Sequence, residues 1–197
     1  LPNGSLNDIL LAERKGLADF DWNMTRKLIN IYGITSAMSF LHLHHIIHRD
    51  LKPANILMDD YLCPKIADFG FSKIMHSNKE SMTIESSMNI KGTPIYLSPE
   101  IWLKQEYGQA CDVYAFGIIV FEIMTNSEPY KNCDIFQIRT KVLNGERPEI
   151  DSIVPDCYRE LIERCWSQDP KDRPSFEEIV NNLRLEEDNQ FITELVN

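Results

Sequence analysis

Ile47-His48-Arg49-Asp50-Leu51-Lys52-Pro53-Ala54-Asn55-Ile56-Leu57, followed eleven residues later by Asp68-Phe69-Gly70, is the stretch on which the reading of this chain turns. It sets two carboxylates, a lysine and a carboxamide among short apolar runs. Ile56-Leu57-Met58, the turn residues Asp59-Asp60 and the run from Cys63 to Ile66 predict two brief strands in a hairpin. The polar groups then fall at strand ends. An acidic group, a cation and an amide oxygen suit a polyphosphate–magnesium site, because Mg²⁺ prefers hard oxygen ligands and takes few of them from protein. Asp50 stands apart from the ligand pair: it can accept or align a hydroxyl proton. Lys52 can neutralise charge on a phosphoryl group.

Upstream of that stretch, Pro2-Asn3-Gly4 is turn chemistry, and Ser5 is placed to cap a short helix through Leu6, Ile9 and Leu10. From about Trp22 to Leu43 the apolar residues Leu28, Ile31, Ile34, Met38 and Leu41 recur at helical steps. Downstream, residues 71–91 are polar and serine-rich, which predicts a long surface loop. The run from Asp112 to Phe121 is apolar nearly all round, as a helix in the middle of a core would be. Further helices are expected near 134–143, stopped by Asn144-Gly145, and near 156–166. The last starts at Ser175, where Ser175 and Glu178 have the form of a capping box. Glu186-Glu187-Asp188 opens an acidic, solvated end. The expected class is mainly α (α+β), one helical domain with a few short strands.

With 20 basic and 30 acidic residues the net charge is −10, which argues against a nucleic-acid binder. Cysteines 63, 111, 133, 157 and 165 form no CxxC pair, so free thiols in a reducing compartment are expected rather than a zinc ribbon or a disulfide framework. The apolar stretch 113–123 is shorter than the roughly 20 residues of a bilayer span. The chain opens LPNGSLNDIL, with neither an initiator methionine nor a basic leader, and reads as a portion of a longer polypeptide. His42, His44, His45 and His48 cluster, with His44 and His48 four apart. No glutamate lies between those two, and core or helix-end histidines are expected instead of zinc ligands.

The signature is larger than its first stretch. His48-Arg49-Asp50 with Asn55, Asp68-Phe69-Gly70, Ser98-Pro99-Glu100, Asp112-Val113-Tyr114-Ala115-Phe116-Gly117 and the segment from Cys165-Trp166 to Arg173-Pro174 follow in order. In that order they resemble the eukaryotic protein kinase superfamily, most closely its tyrosine-kinase-like group of Ser/Thr kinases. The resemblance implies the large, C-terminal lobe of a kinase over residues 1–185, with 186–197 as an acidic extension. It implies ATP and Mg²⁺ as cofactors, Asp50 as catalytic base, Lys52 as phosphate partner, and Asn55 and Asp68 as metal ligands. Leu1, at the hinge, Ser5 and Leu57 would border the nucleotide, with Leu6, Ile119 and Ile123 beneath Leu57. Glu100 would pair with Arg173, and Asp112 would hold the catalytic-loop backbone. His48 and Phe69 would form the lower half of a hydrophobic column.

Lys52 two residues after Asp50, and Gly92-Thr93 ahead of Ser98-Pro99-Glu100, imply serine/threonine protein substrates. Of the positions Ser5, Ala54 and Glu122, acidic in arginine-directed relatives, only Glu122 is acidic, so no strict demand for upstream arginine is expected. Arg49 implies a phosphate partner on the activation loop, with Ser86 and Ser87 foremost and Ser81 and Thr83 behind them. No GxGxxG occurs among the eight glycines. The phosphate-covering loop and the strand lysine are therefore expected in an N-terminal lobe outside this chain. A truncated lobe acting as a non-catalytic binding module is the alternative. Without the small lobe, Ile56, Leu57 and Phe69 are expected to expose an apolar face. A cytoplasmic location, with no membrane segment in the chain, completes the expectation.

Overall fold

A computed structural model describes residues 1–74 and 93–185. Its organising element is the helix that the apolar run predicts. The structure runs α1 (Leu6–Arg14), α2 (Met24–Leu43), β1 (Ile46–Ile47), β2 (Ile56–Met58), β3 (Pro64–Ile66), β4 (Lys73–Ile74), α3 (Pro99–Trp102), α4 (Ala110–Thr125), α5 (Ile135–Leu143), α6 (Asp156–Cys165) and α7 (Phe176–Leu185). Every residue of α4 from Cys111 to Met124 is buried, as a helix apolar on all sides requires. Two contacts set how closely its neighbours come. A methyl group on Gly117 would lie 2.8 Å from Cys165 Cβ, so the missing side chain lets the end of α6 approach the α4 backbone there. Phe116 meets Phe176 of α7 edge-on, with ring centroids 5.3 Å apart, and Phe176 meets His42 of α2 at 5.0 Å.

α2 packs along α7, but its inner face is less apolar than its sequence stripe. Ile31, Ile34 and Met38 are buried, whereas Leu28 and Leu41 are half-buried and Lys27, Asn30, Thr35 and His42 go inside. Each of these four has a partner, as burial of polar groups demands. Lys27 Nζ lies 2.6 Å from Glu13, whose other oxygen accepts from Trp22 Nε1 at 2.8 Å. Asn30 donates to the Leu62 carbonyl at 2.8 Å, tying the hairpin turn to the helix. Thr35 bonds back to Ile31.

β2 and β3 pair antiparallel, with Ile56 opposite Ile66 and Met58 opposite Pro64. A second pairing was not legible in the sequence: Ile46 and Ile47 run antiparallel to Ile74 and Lys73. The predicted loop therefore begins later than residue 71, since Phe69–Phe71 form a 3₁₀ turn and Lys73–Ile74 a strand. At the other end, the Glu178 N–H donates to Ser175 Oγ at 3.1 Å, while the Glu178 carboxylate pairs with Arg164. The expected charge run at 186–188 lies outside the described residues.

Candidate active site

The site is assembled on the upper rim of the lobe, where the hairpin, α1 and the segment before β2 converge. Ser5 caps α1 and closes a capping box: its hydroxyl donates to Asp8 Oδ2 at 2.7 Å, and the Asp8 N–H donates back to Ser5 Oγ. The Ser5 hydroxyl and the Ser5 backbone N–H, which both donate to Asp8 Oδ2, hold the Asp8 carboxyl below the usual aspartate value. Asn3 donates to the Asp59 carbonyl at 2.7 Å and Met58 N–H to the Gly4 carbonyl, so the chain start lies along the hairpin. Leu1 is exposed and Leu57 half-buried on that rim, while Leu6, Ile119 and Ile123 are fully buried. Ile56 is also fully buried, which corrects its expected place on the open apolar face. Strand alternation turns Leu57 outward and sends Ile56 and Met58 down into the core. Phe69, 45% exposed, keeps the place expected of it.

Asp50 is buried beside two partners. Lys52 Nζ lies 2.8 Å from its Oδ2, and Asn55 Nδ2 donates to the same oxygen at 3.0 Å and to the Asp50 carbonyl at 2.8 Å. Both protons of the Asn55 amide are thereby spent on Asp50, which leaves its carbonyl oxygen as the donor end for a cation. Asn55 also receives the Ala67 N–H on its main-chain oxygen at 2.9 Å, which brings the end of β3 back beside the start of β2. Asp68 follows directly, exposed, with left-handed backbone (φ 61°) and its Oδ1 accepting from Gly70 N–H at 3.2 Å. A carboxylate on an open rim and an amide oxygen across the hairpin base are hard donors, and they fit Mg²⁺.

One carboxylate from the core holds this segment in shape. Asp112, at the start of α4, accepts the His48 N–H at 2.8 Å and His42 Nε2 at 3.0 Å on one oxygen, and the Arg49 N–H at 2.9 Å on the other. Arg49 itself has φ 68°, a conformation costly for a side-chain-bearing residue unless its surroundings enforce it. The Arg49 guanidinium donates to the Phe71 carbonyl and, at 3.2 Å, to the Tyr107 hydroxyl. His48 stacks obliquely on Phe69 with centroids 5.3 Å apart, and its Nε2 contacts the Ala67 carbonyl. His44 does not sit with His48 on one helix, because α2 ends at Leu43 and His45 takes a positive φ.

Below the rim, Arg173 clasps Glu100 through both oxygens at 2.8 and 2.9 Å, with side chains 0% and 4% exposed. Thr93 precedes the 3₁₀ turn Pro94–Tyr96. Ser81, Thr83, Ser86 and Ser87 lie outside the described residues. Glu122, the acidic group that the sequence offered for basic substrates, is spent inside the lobe: Arg14 lies 2.8 Å from it and Tyr96 donates to it at 2.7 Å. Sequence reasoning missed Tyr107 and His42 as members of the network that holds residues 48–50. Nothing in their local sequence marks them, because their partners are 58 and 70 residues away.

Residues 1–183 match the family model described as protein tyrosine and serine/threonine kinase. Among curated proteins of Dictyostelium discoideum, the chain is 41% identical over 182 residues to a "Probable LIM domain-containing serine/threonine-protein kinase", covering 92% of this chain and 26% of the relative. It is 38% identical over 181 residues to an RGS domain-containing serine/threonine-protein kinase, at 92% and 15% coverage. A dual specificity protein kinase is 34% identical over 189 residues, at 94% and 28%. The chain thus spans between 15 and 28% of the length of these three relatives.

Proposed function

This chain belongs to the family of protein tyrosine and serine/threonine kinases, and on that footing we propose that its cleft transfers the terminal phosphoryl group of ATP to serine or threonine hydroxyls of protein substrates. The observation that carries the reading is the contact set around Asp50. A buried carboxylate with a lysine at 2.8 Å and a carboxamide at 3.0 Å is oriented as a unit. Asp50 aligns the substrate hydroxyl and takes its proton as the new P–O bond forms. Lys52 stabilises the negative charge that develops on the transferring group. Asn55 and Asp68 would hold Mg²⁺, which when bound neutralises phosphate oxygens. Leu1, Ser5 and Leu57 border the space for the nucleotide base.

In this reading residues 1–185 are the large lobe and 186–197 an acidic extension. The loop over the phosphates and the strand lysine come from an N-terminal lobe outside these residues, and the 197-residue chain alone transfers phosphate negligibly. All five cysteines are free, which supports a cytoplasmic location. Among the described residues no helix is long and apolar enough to cross a membrane.

The test uses the full-length protein with labelled ATP and a panel of serine- and threonine-containing peptides. Asp50→Asn preserves shape and hydrogen bonding, and the rate is expected to fall by about 10²–10⁴. An unchanged rate in that variant would sink the assignment. A wild-type protein that transfers no phosphate would favour the binding-module alternative.

A further inference from the structure

We propose that Tyr107 is a positioning residue for the cleft, acting through Arg49 to set the turn that carries Asp68 against the loop that carries Asp50. The starting point is a half-buried charge whose partners among the described residues are neutral. Arg49 is half-buried, yet among the described residues no carboxylate oxygen lies within 4.0 Å of its guanidinium. Its head is held by neutral oxygens, the Phe71 carbonyl on Nε and the Tyr107 hydroxyl on Nη1. The guanidinium is planar and its donors form a rigid fork, so contacts on two of its edges fix its orientation as well as its position.

The two contacts come from different segments of the chain. Phe71 closes the 3₁₀ turn Phe69–Phe71, which Asp68 opens by accepting the Gly70 N–H. Tyr107 comes from the connection between α3 and α4. Its ring is buried with Ile47 and Cys111, and Ile47 is the last residue of β1, two before Arg49. The hydroxyl is therefore delivered from a packed base, with only two side-chain torsions to fix. Arg49 passes that position in two directions. Its backbone, pinned by Asp112, leads directly into Asp50. Its side chain reaches the turn that leads back to Asp68. Removing the hydroxyl leaves the ring packing in place and frees one edge of the guanidinium.

The experiment is a double-mutant cycle of Tyr107→Phe and Arg49→Lys in the full-length protein, read by hydrogen exchange and by kinetics. Only the kinetic readout rests on the phosphoryl-transfer reading. Tyr107→Phe is expected to speed backbone exchange in the peptide covering residues 69–74 about tenfold, the worth of one hydrogen bond to a charged group. Peptides from α4 and α6 should be unaffected. The kcat should fall about tenfold with the KM for ATP held within about twofold. In the Arg49→Lys background, Tyr107→Phe should add nothing further, because the two residues act as one unit. Equal effects in both backgrounds, no effect in the wild-type background, or faster exchange spread evenly over the molecule would each overturn the proposal. A wild-type protein without phosphotransfer would end the catalytic reading, and the exchange cycle would still decide the role of Tyr107.

Discussion

The rim of the cleft and the base of the lobe are built on opposite principles. On the rim, the polar groups flank three-residue strands, Arg49 and Asp68 hold left-handed backbone, and Asp68 and Phe69 face solvent. In the base, one helix is buried from Cys111 to Met124, and Arg173 and Glu100 are sealed inside. A thin, strained rim could not hold its geometry alone, since such backbone conformations persist only where the surroundings over-determine them. Asp112 joins the two, rooted in α4 and bonded to the backbone of His48 and Arg49. The candidate site sits where the backbone is costly, and the rigidity is delivered from below.

The comparison breaks most visibly if a charge is removed from each region. Arg173→Leu strips Glu100 of its bidentate partner inside the base and leaves a buried carboxylate uncompensated. The expected loss is about 3–5 kcal/mol, measured by urea denaturation. Lys52→Met removes the cation beside Asp50 on the rim, where Lys52 is 21% exposed. Asp50, 5% exposed, keeps the Asn55 amide on the same oxygen, so the expected loss is about 1–3 kcal/mol, below that of Arg173→Leu, while the phosphotransfer rate collapses. If Lys52→Met unfolded the protein as readily as Arg173→Leu, the division between rim and base would be wrong.

The same division governs what could be read from the sequence. The base was legible because burial imposes a pattern: the run from Asp112 to Phe121 could only be a core helix, and the hairpin announced itself through Asp59-Asp60. Local chemistry was legible too, as with Ser5 and its cap on α1. The β1–β4 pairing was not, because two residues against two leave no period to detect. Nor were the roles of His42, Tyr107 and Arg14, all set by partners far along the chain. Ile56 was misplaced for a simpler reason: strand alternation decides which of two adjacent apolar residues faces up, and the motif alone does not say where the alternation starts.

A sharper measure of the base compares two glycines. In Gly117→Ala the new methyl would lie 2.8 Å from Cys165 Cβ and 3.2 Å from the Trp166 backbone nitrogen, neither of which is a flexible side-chain end. Overpacking of this kind costs about 1–3 kcal/mol. Gly108→Ala meets nothing within 4 Å, and its effect should lie within about 0.5 kcal/mol of zero. Equal midpoints in thermal unfolding would mean that α6 can withdraw from α4 freely, and that the base is softer than its burial implies.

The smallest effect concerns Glu122, a buried carboxylate of the base. An arginine at 2.8 Å would ordinarily hold a carboxyl low, yet burial pushes Glu122 above the usual glutamate value. Desolvation wins because Glu122 is only 5% exposed while Arg14 is 20% exposed, so the cation keeps part of its hydration and lends less to the pair. The sign follows from linkage. With the folded value raised above the unfolded one, the stability contributed by this group is full below about pH 4.5 and is lost as pH rises through the folded value. Urea midpoints followed from about pH 4 to about pH 8 should therefore decline with pH in the wild type relative to Glu122→Gln, in which the slope is removed. The amide keeps an acceptor for Tyr96 and leaves Arg14 free to turn toward water, so the two proteins should differ little at the acid end. A wild-type midpoint that rose with pH against Glu122→Gln would mean that the arginine dominates. The base would then hold its carboxylates, as the rim holds Asp50, by a matched charge.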